Sequence, residues 1–324
     1  MKILPVSDSS LLHGVVDLGT YSCLMLVGRR DERGEIEVVS DLCEVPRLGE
    51  GLAKTGALSQ AGMDRTIAAL ANFQERAREL GVASLFIAGT AAMRRAKNAD
   101  VIVQRAREEL GLEITVISEL EEAEVGWIAA TIGLEMSLED VVVVDVGGGS
   151  TEVVTDGGRW VASFPLGGVV LTEAFATDGL SPGGGDWDGL ERAVKEAFCE
   201  LGKSKTLGSV AGGHRSGGPP KEPLLLALGG TASNLGSLEL GLEKHDRKVP
   251  EGRRFLSSGA WKWAHELAGK DLAARRALPI EAERASVLPA GLACLGEVAL
   301  KLGATELLVT GKGLRYGLIR KRLS

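Results

Sequence analysis

Two short segments of the chain share one pattern and place their aspartates, Asp17 and Asp145, 128 residues apart. Residues 15–20 read VVDLGT and residues 143–148 read VVDVGG. In each segment the valines are typical of a strand buried on both faces, and a second apolar segment follows that can return as a hairpin. A repeat at this distance suits one copy per domain. The sequence therefore predicts a duplicated α/β architecture with a cleft between its halves.

Length and the position of the repeat suggest how the chain divides. Its 324 residues allow two domains of ordinary size. We expect a first domain over residues 1–128 and a second over residues 129–313. We also expect a C-terminal helix at about residues 314–324 that packs back on the first domain.

Composition excludes several classes of protein. Hydrophobic residues make up 44% of the chain and charged residues 25%, as in an ordinary globular protein. The net charge of −7 argues against nonspecific nucleic-acid binding. No apolar stretch is long enough to span a bilayer, and we expect neither a signal peptide nor a membrane partner. The cysteines are scattered without metal-ligand spacing, which favours reduced thiols in the cytoplasm.

The loops after the two repeated strands have the composition of anion-binding sites. Gly147, Gly148 and Gly149 let the backbone approach a ligand, and successive amides form a concavity for anions. Ser150 and Thr151 add hydroxyl donors. A carboxylate does not bind phosphate directly, so Asp145 suggests a bridging Mg²⁺. Two such loops facing each other would hold a phosphate chain between the domains.

The alternative is that these glycines only turn hairpins and the aspartates only cap turns. The matched strand context of the two loops favours phosphate binding. Gly89-Thr90 and Gly229-Gly230-Thr231 also end predicted strands, and we expect these ends to converge on the same cleft. Neither the GxxxxGK loop of nucleoside triphosphatases nor a dinucleotide-binding GxGxxG motif is present.

The order of these motifs resembles the actin-like phosphotransferase superfamily. Within it, the sequence is most similar to the exopolyphosphatase/guanosine pentaphosphate phosphohydrolase family. The resemblance extends over residues 14–319. It is carried by RLGEGLAKTGALS (47–59), AGTAAMRRAKNA (88–99), ISELEEA (117–123), DVGGGSTE (145–152), PLGGVVLTEAF (165–175) and the ending from residue 283. It implies a duplicated actin-like (ribonuclease H-like) α/β fold of two domains with an interdomain cleft, and a possible homodimer.

The resemblance also implies a chemistry, which is Mg²⁺-dependent hydrolysis of the terminal phosphate of polyphosphate or guanosine pentaphosphate. The catalytic carboxylate of the family matches Glu122, and its phosphate-handling arginine matches Arg94. The metal-binding candidates are Asp17, Asp145 and Glu152. The phosphate-binding candidates are Gly19, Thr20, Ser22, Arg94, Gly147, Gly148, Gly149, Ser150 and Thr151.

Three positions depart from the family pattern. Tyr21 replaces the usual asparagine of the first loop, Val170 stands where many members carry arginine, and Tyr316 stands where many carry glutamate. These departures affect the expected substrate preference more than the expected chemistry.

The local sequence predicts different roles for two neighbouring glutamates, Glu121 and Glu122. Ser118-x-x-Glu121 is a capping box, in which Glu121 reaches back to the Ser118 amide at the start of a helix. Glu122 is then available for another role, and the positive end of the helix dipole favours its ionised form. This suits a general base that activates water. The alternative for Glu122 is a solvated charge on the helix surface.

We therefore expect an exopolyphosphatase that removes terminal phosphates processively or stepwise. The first alternative is a guanosine pentaphosphate 5′-phosphohydrolase, for which the sequence shows no base pocket. The second is an actin-like sensor that binds nucleotide or polyphosphate with little turnover. A kinase on this fold would need an adenosine site in the second domain, and residues 228–231 are the only candidate.

Overall fold

The computed structural model describes residues 8, 10–132, 134, 138, 141–179, 183–201 and 223–324. It divides into two units, one formed by Met1–Ala129 with Leu314–Ser324 and the other by Ala130–Gly313. Each unit has its own mixed β-sheet and its own hydrophobic core.

The sheet of the first unit is built around the first repeated strand. Its strands are β1 (His13–Leu18), β2 (Cys23–Arg30), β3 (Ile36–Glu44), β4 (Ser84–Gly89) and β5 (Ile114–Val116). They lie in the order β3-β2-β1-β4-β5, with β1 antiparallel to β2 and parallel to β4. Val15, Val16 and Leu18 are fully buried, because β1 is central and covered on both faces.

The helices of the first unit connect and cover these strands. They are α1 (Leu52–Thr55), α2 (Gln60–Glu79), α3 (Ala91–Arg95), α4 (Ala99–Leu110) and α5 (Glu119–Thr131). The Ser59 hydroxyl accepts a hydrogen bond from the Gly62 amide and caps α2. The apolar face of α2 then packs on the core through Met63, Leu70 and Phe73.

The sheet of the second unit is built around the second repeated strand. Its strands are β6 (Val141–Val146), β7 (Thr151–Thr155), β8 (Trp160–Phe164), β9 (Leu224–Leu228), β10 (Arg254–Leu256) and β11 (Glu306–Thr310). Their order is β10-β11-β9-β6-β7-β8. As in the first unit, the repeated strand pairs antiparallel with the strand after it and parallel with a later one, β9.

The helices of the second unit are α6 (Gly168–Phe175), α7 (Trp187–Ala197), α8 (Gly229–Glu239), α9 (Ser258–Ala268), α10 (Leu272–Arg276) and α11 (Leu288–Leu302). Helix α11 is apolar on most of its surface and is buried along nearly its whole length. It packs against α6, α7 and α9 and forms the centre of the helical layer.

A last helix, α12 (Leu314–Leu323), belongs to the first unit. Leu318 and Ile319 are fully buried and pack with Val15 on β1. The Arg315 guanidinium donates two hydrogen bonds, of 2.8 and 2.9 Å, to the Asp41 carboxylate on β3. This paired contact fixes α12 against the sheet.

The predicted duplication is confirmed at the level of strand register. Asp17 lies opposite Leu24 of β2 and Ala88 of β4. Asp145 lies opposite Glu152 of β7 and Leu228 of β9. Each unit is therefore an α/β domain in which an aspartate near the end of the central strand precedes a glycine loop. The expected cleft stays a prediction.

The starts of two helices are set by different side-chain contacts. Asn98 has a residue type that favours helix caps and precedes α4, but its side-chain amide instead bonds the backbone nitrogen and oxygen of Leu58, at 2.8 and 3.1 Å. Helix α7 begins at Trp187, where the Asp186 carboxylate accepts the Gly189 amide and caps the helix. Among the residues described, no helix is both long and apolar enough to cross a membrane.

Candidate phosphate-binding and catalytic site

The first glycine loop is closed by its own backbone. The Gly19 amide donates to the Ser22 carbonyl at 3.0 Å, directly after β1. At the end of β4, the Thr90 amide and hydroxyl both donate to the Leu18 carbonyl, at 3.1 and 3.3 Å. These hydrogen bonds join the carboxyl ends of β1 and β4. Asp17, which is half-buried, directly precedes Leu18.

Thr20 presents an unsatisfied polar atom within this loop. The residue is only 6% exposed, and its Oγ1 has no hydrogen-bond partner among the described residues. Buried hydroxyls usually have a partner, so an orphaned one needs a physical reason. A bound anion or water would supply it, as the predicted phosphate-binding role requires.

Arg94 and Glu122, which were assigned separately from the sequence, are in direct contact. Arg94 Nη1 lies 2.6 Å from Glu122 Oε2 and also donates to the Ile117 carbonyl at 3.1 Å. The two side chains are 15% and 16% exposed. Arg94 Nε and Nη2 are buried and have no partner in the described part of the chain. The guanidinium thus keeps two donors that match the geometry of a phosphate oxyanion.

The predicted capping box is confirmed and explains why the two adjacent glutamates differ. The Ser118 amide donates to Glu121 Oε2 at 2.9 Å, and the Glu121 amide donates to the Ser118 hydroxyl at 3.2 Å. The hydrogen bond from the Ser118 amide lowers the pKa of Glu121. Glu121 therefore serves the start of α5, while Glu122 reaches Arg94.

The second loop repeats the geometry of the first. The Gly147 amide donates to the Ser150 carbonyl at 2.9 Å. The Thr231 hydroxyl, after β9, donates to the Val146 carbonyl at 3.0 Å, as Thr90 does in the first unit. Thr151 is fully buried, and its hydroxyl donates to the Leu166 carbonyl at 2.8 Å. The Thr151 side chain therefore stabilises the loop itself.

Asp145 and Glu152 form a carboxylate pair beside this loop. They lie directly opposite each other on β6 and β7, so their side chains share one face of the sheet. Glu152 is 5% exposed, and its Oε1 accepts the Ser163 hydroxyl at 3.1 Å. Like charges opposite each other repel, and a divalent cation bound by carboxylate oxygens would relieve this repulsion.

This pair fits Mg²⁺, which often takes one or two protein carboxylates and completes its shell with water and substrate phosphate. No group of three or more His, Cys, Asp or Glu side chains that could hold a metal occurs within the described ranges. The structure therefore brings two of the three predicted metal ligands, Asp145 and Glu152, together within the second unit.

The residues that depart from the family pattern make contacts within their own units. Tyr21 is 5% exposed, and the Arg47 guanidinium lies 5.6 Å from the centre of its ring. The Tyr316 hydroxyl donates to Asp41 at 3.2 Å. The Val170 amide donates to the Gly148 carbonyl at 3.3 Å. Val170 therefore supports the second loop through its backbone, whatever its side chain.

A charged cluster that the sequence reasoning missed lies at the end of β9. The Glu281 carboxylate contacts Arg284 at 2.6 Å, Arg247 at 3.1 Å and His245 at 3.4 Å. Burial would raise the pKa of Glu281, but the neighbouring His245, Arg284 and Arg247 outweigh it and hold the pKa well below the usual range. The Arg284 guanidinium covers Gly230 so closely that a Cβ there would overlap it.

Comparisons with known proteins identify the family and the fold of the chain. Residues 26–324 match the sequence model of the Ppx/GppA phosphatase family. A crystal structure of the Aquifex aeolicus member of that family is similar at 26% identity, 96% and 97% coverage of the two chains and a TM-score of 0.73. A solved structure of the Aquifex aeolicus PPX-GPPA enzyme is similar at 28% identity, 96% and 99% coverage and a TM-score of 0.72.

A crystal structure of an exopolyphosphatase from Cytophaga hutchinsonii shares the fold at 20% identity, with coverage of 94% and 96% and a TM-score of 0.80. These comparisons support the duplicated actin-like fold that the sequence predicted.

Proposed function

Because the chain belongs to the Ppx/GppA phosphatase family, whose members are phosphoanhydride hydrolases, we propose that it is an Mg²⁺-dependent exopolyphosphatase. The observation that carries the proposal is the Arg94 guanidinium. One of its nitrogens contacts Glu122, and its Nε and Nη2 are buried without a partner among the described residues. This arrangement places a carboxylate beside donors that suit a terminal phosphate.

In the proposed reaction, a water molecule attacks the terminal phosphorus in line with the bridging oxygen. Glu122 accepts the proton of the water as the bond to the bridging oxygen breaks. The products are orthophosphate and a chain shorter by one phosphate. The contact with Arg94 holds the Glu122 carboxylate in one orientation, which the positioning of a nucleophile requires.

Each unit offers its own donors for phosphate oxygens. Arg94 and the Thr20 hydroxyl are the side-chain donors of the first unit, and the loop amides that follow Gly147 are the backbone donors of the second. Mg²⁺, when bound by Asp145 and Glu152, would neutralise negative charge on the phosphate oxygens. The metal-binding role of Asp17 stays a prediction.

Polyphosphate is the preferred substrate in this proposal because of the charged cluster at Gly230. Residues 228–231 were the only candidate for an adenosine site. Arg284 lies directly against Gly230, and Glu281 holds Arg284 there at 2.6 Å. A continuous chain of phosphates needs donors along a groove but no base pocket, whereas guanosine pentaphosphate needs both.

The proposal is tested by phosphate release from long-chain polyphosphate, guanosine pentaphosphate and ATP, each with Mg²⁺ and with EDTA. We expect rapid release from polyphosphate that EDTA abolishes. Faster release from guanosine pentaphosphate would assign the nucleotide as substrate instead. Tight binding of one compound without turnover of any would indicate that the protein is a sensor and not an enzyme. Parallel assays of the Glu122→Gln variant, prepared in the same way, identify release by a contaminating phosphatase.

A further inference from the structure

The first glycine loop, residues 19–22, accepts hydrogen bonds from the segment of residues 47–49. The Gly49 amide donates to the Thr20 carbonyl at 2.8 Å, and the Arg47 amide donates to the Tyr21 carbonyl at 3.0 Å. The described peptide bonds are trans, and in a trans peptide the N–H points opposite to the C=O. The N–H groups of Tyr21 and Ser22 are therefore directed away from the segment that carries Gly49.

The second loop is held in the same way by the start of α6. The Gly168 amide donates to the Gly147 carbonyl at 3.0 Å, and the Val169 amide donates to the Gly148 carbonyl at 2.9 Å. The same peptide geometry directs the N–H groups of Gly148 and Gly149 away from α6. The first amides of α6, which have no partner within the helix, therefore donate to the loop carbonyls and not to a ligand.

Glycine is required at both supports because the backbones approach closely. A Cβ at position 49 would overlap Thr20 Cγ2, which belongs to a buried, β-branched side chain. A Cβ at position 167 would lie 2.6 Å from the Gly147 carbonyl oxygen. The φ of Gly167 is −152°, an extended conformation that any residue adopts, so only the contact with the loop demands glycine there.

We propose that Gly49 and Gly167 are positioning residues for the two loops. Each lets a supporting segment approach the loop and bind its carbonyls, which turns the loop amides toward the phosphate. The inference rests on the proposed function, since it assigns the loops to phosphate binding. It extends that function to residues outside the loops, and it explains how a glycine-rich turn is kept in a single conformation.

The test compares Gly49→Ala with a double variant in which Thr20→Ser is expected to restore activity. The added methyl group is expected to separate the supporting segment from the loop and to lower kcat/KM for polyphosphate at least about tenfold, since small misplacements are costly in catalysis. Thr20→Ser keeps the hydroxyl and removes Cγ2, the atom that the methyl group would overlap. The double variant should therefore recover to within about threefold of Thr20→Ser alone, which is the coupling expected of two residues in contact.

The matched control is Gly269→Ala, at the end of α9. Its φ is −73°, and a Cβ there would make only ordinary contacts at 3.7 and 3.8 Å, so we expect unchanged activity. Gly167→Ala tests the second loop independently and should lower kcat/KM for polyphosphate while thermal unfolding stays cooperative.

Hydrogen exchange provides a readout that does not depend on turnover. The amide at position 49 should exchange slowly in the wild type, faster in Gly49→Ala, and slowly again in the double variant. Unchanged exchange in Gly49→Ala, or wild-type kcat/KM with faster exchange, would overturn the positioning role. If the wild type neither binds tripolyphosphate in calorimetry nor releases phosphate, the proposed function fails, and the exchange pattern alone then decides whether Gly49 supports the loop.

Discussion

Arg94 Nη1 lies 2.6 Å from Glu122 Oε2, although the two residues are 28 positions apart in the chain. Arg94 lies in α3, which follows β4, and Glu122 lies in α5, which follows β5. Because β4 and β5 are parallel neighbours, the helices that follow them begin at the same edge of the sheet. Sheet order therefore creates the pair of carboxylate and guanidinium on which the proposed chemistry depends.

The first prediction concerns Glu122 as the proton acceptor. Glu122→Gln keeps the size and the hydrogen bond to Arg94 but removes the basic oxygen. We expect kcat for polyphosphate to fall by about a hundredfold or more, with KM little changed. The measurement is steady-state phosphate release.

Glu121→Gln is the matched control for this substitution. Glutamine also completes a capping box, so the control should keep its activity. Equal activity of the two variants would remove Glu122 from the mechanism.

The second prediction concerns the unpartnered donors of Arg94. Arg94→Lys keeps the charge but loses the planar fork that carries Nε and Nη2. We expect kcat/KM for polyphosphate to drop by about tenfold to a hundredfold, since a charge-assisted hydrogen bond contributes about 1.5–3 kcal/mol. Arg95→Lys, at the exposed neighbouring position, is the control and should behave as the wild type. An unchanged kcat/KM in Arg94→Lys would exclude bidentate binding by this residue.

Local features of the site could be predicted from the sequence because they depend on neighbouring residues. The capping box at Ser118 and Glu121 and the turn that joins Gly147 to Ser150 each involve residues three positions apart. Their geometry is set by the backbone over one turn, and the residue types alone indicate it.

Other features could not be predicted because they depend on which elements become neighbours. The cluster around Glu281 combines residues from the connection after α8 and the segment before α11, which meet only in the folded unit. Asn98 has the residue type of a helix cap, but the loop at Leu58 lies close enough to take its side chain. A tertiary contact overrode a local preference in that case.

The third prediction concerns the carboxylates opposite each other on β6 and β7. Glu152→Gln removes one charge beside Asp145 and should raise the Mg²⁺ concentration for half-maximal phosphate release by about tenfold or more. Asp156→Asn, in the turn between β7 and β8, is the control because asparagine tolerates the same positive φ of 54°. A Mg²⁺ dependence that is identical in all three proteins would exclude Glu152 as a metal-binding residue.

The last prediction concerns stability and pH at Glu281. Its pKa is lowered in the folded state by His245, Arg284 and Arg247, which outweigh the effect of burial. The stabilisation is therefore complete above the unfolded pKa of about 4.3 and is lost as the pH falls below it.

Glu281→Gln should therefore lower the free energy of unfolding at pH 7 by about 1–3 kcal/mol, because it removes charge-assisted hydrogen bonds at a largely buried site. The difference from the wild type should shrink by about 1 kcal/mol between pH 7 and pH 3.5. At the lower pH the carboxyl of Glu281 binds a proton when the wild type unfolds, which destabilises the folded state, whereas glutamine binds none. Urea unfolding at both pH values measures the two differences. Glu243→Gln, at an exposed position, serves as the control and should stay close to the wild type throughout. A difference for Glu281→Gln that is constant with pH would show that the cluster does not stabilise the ionised carboxylate.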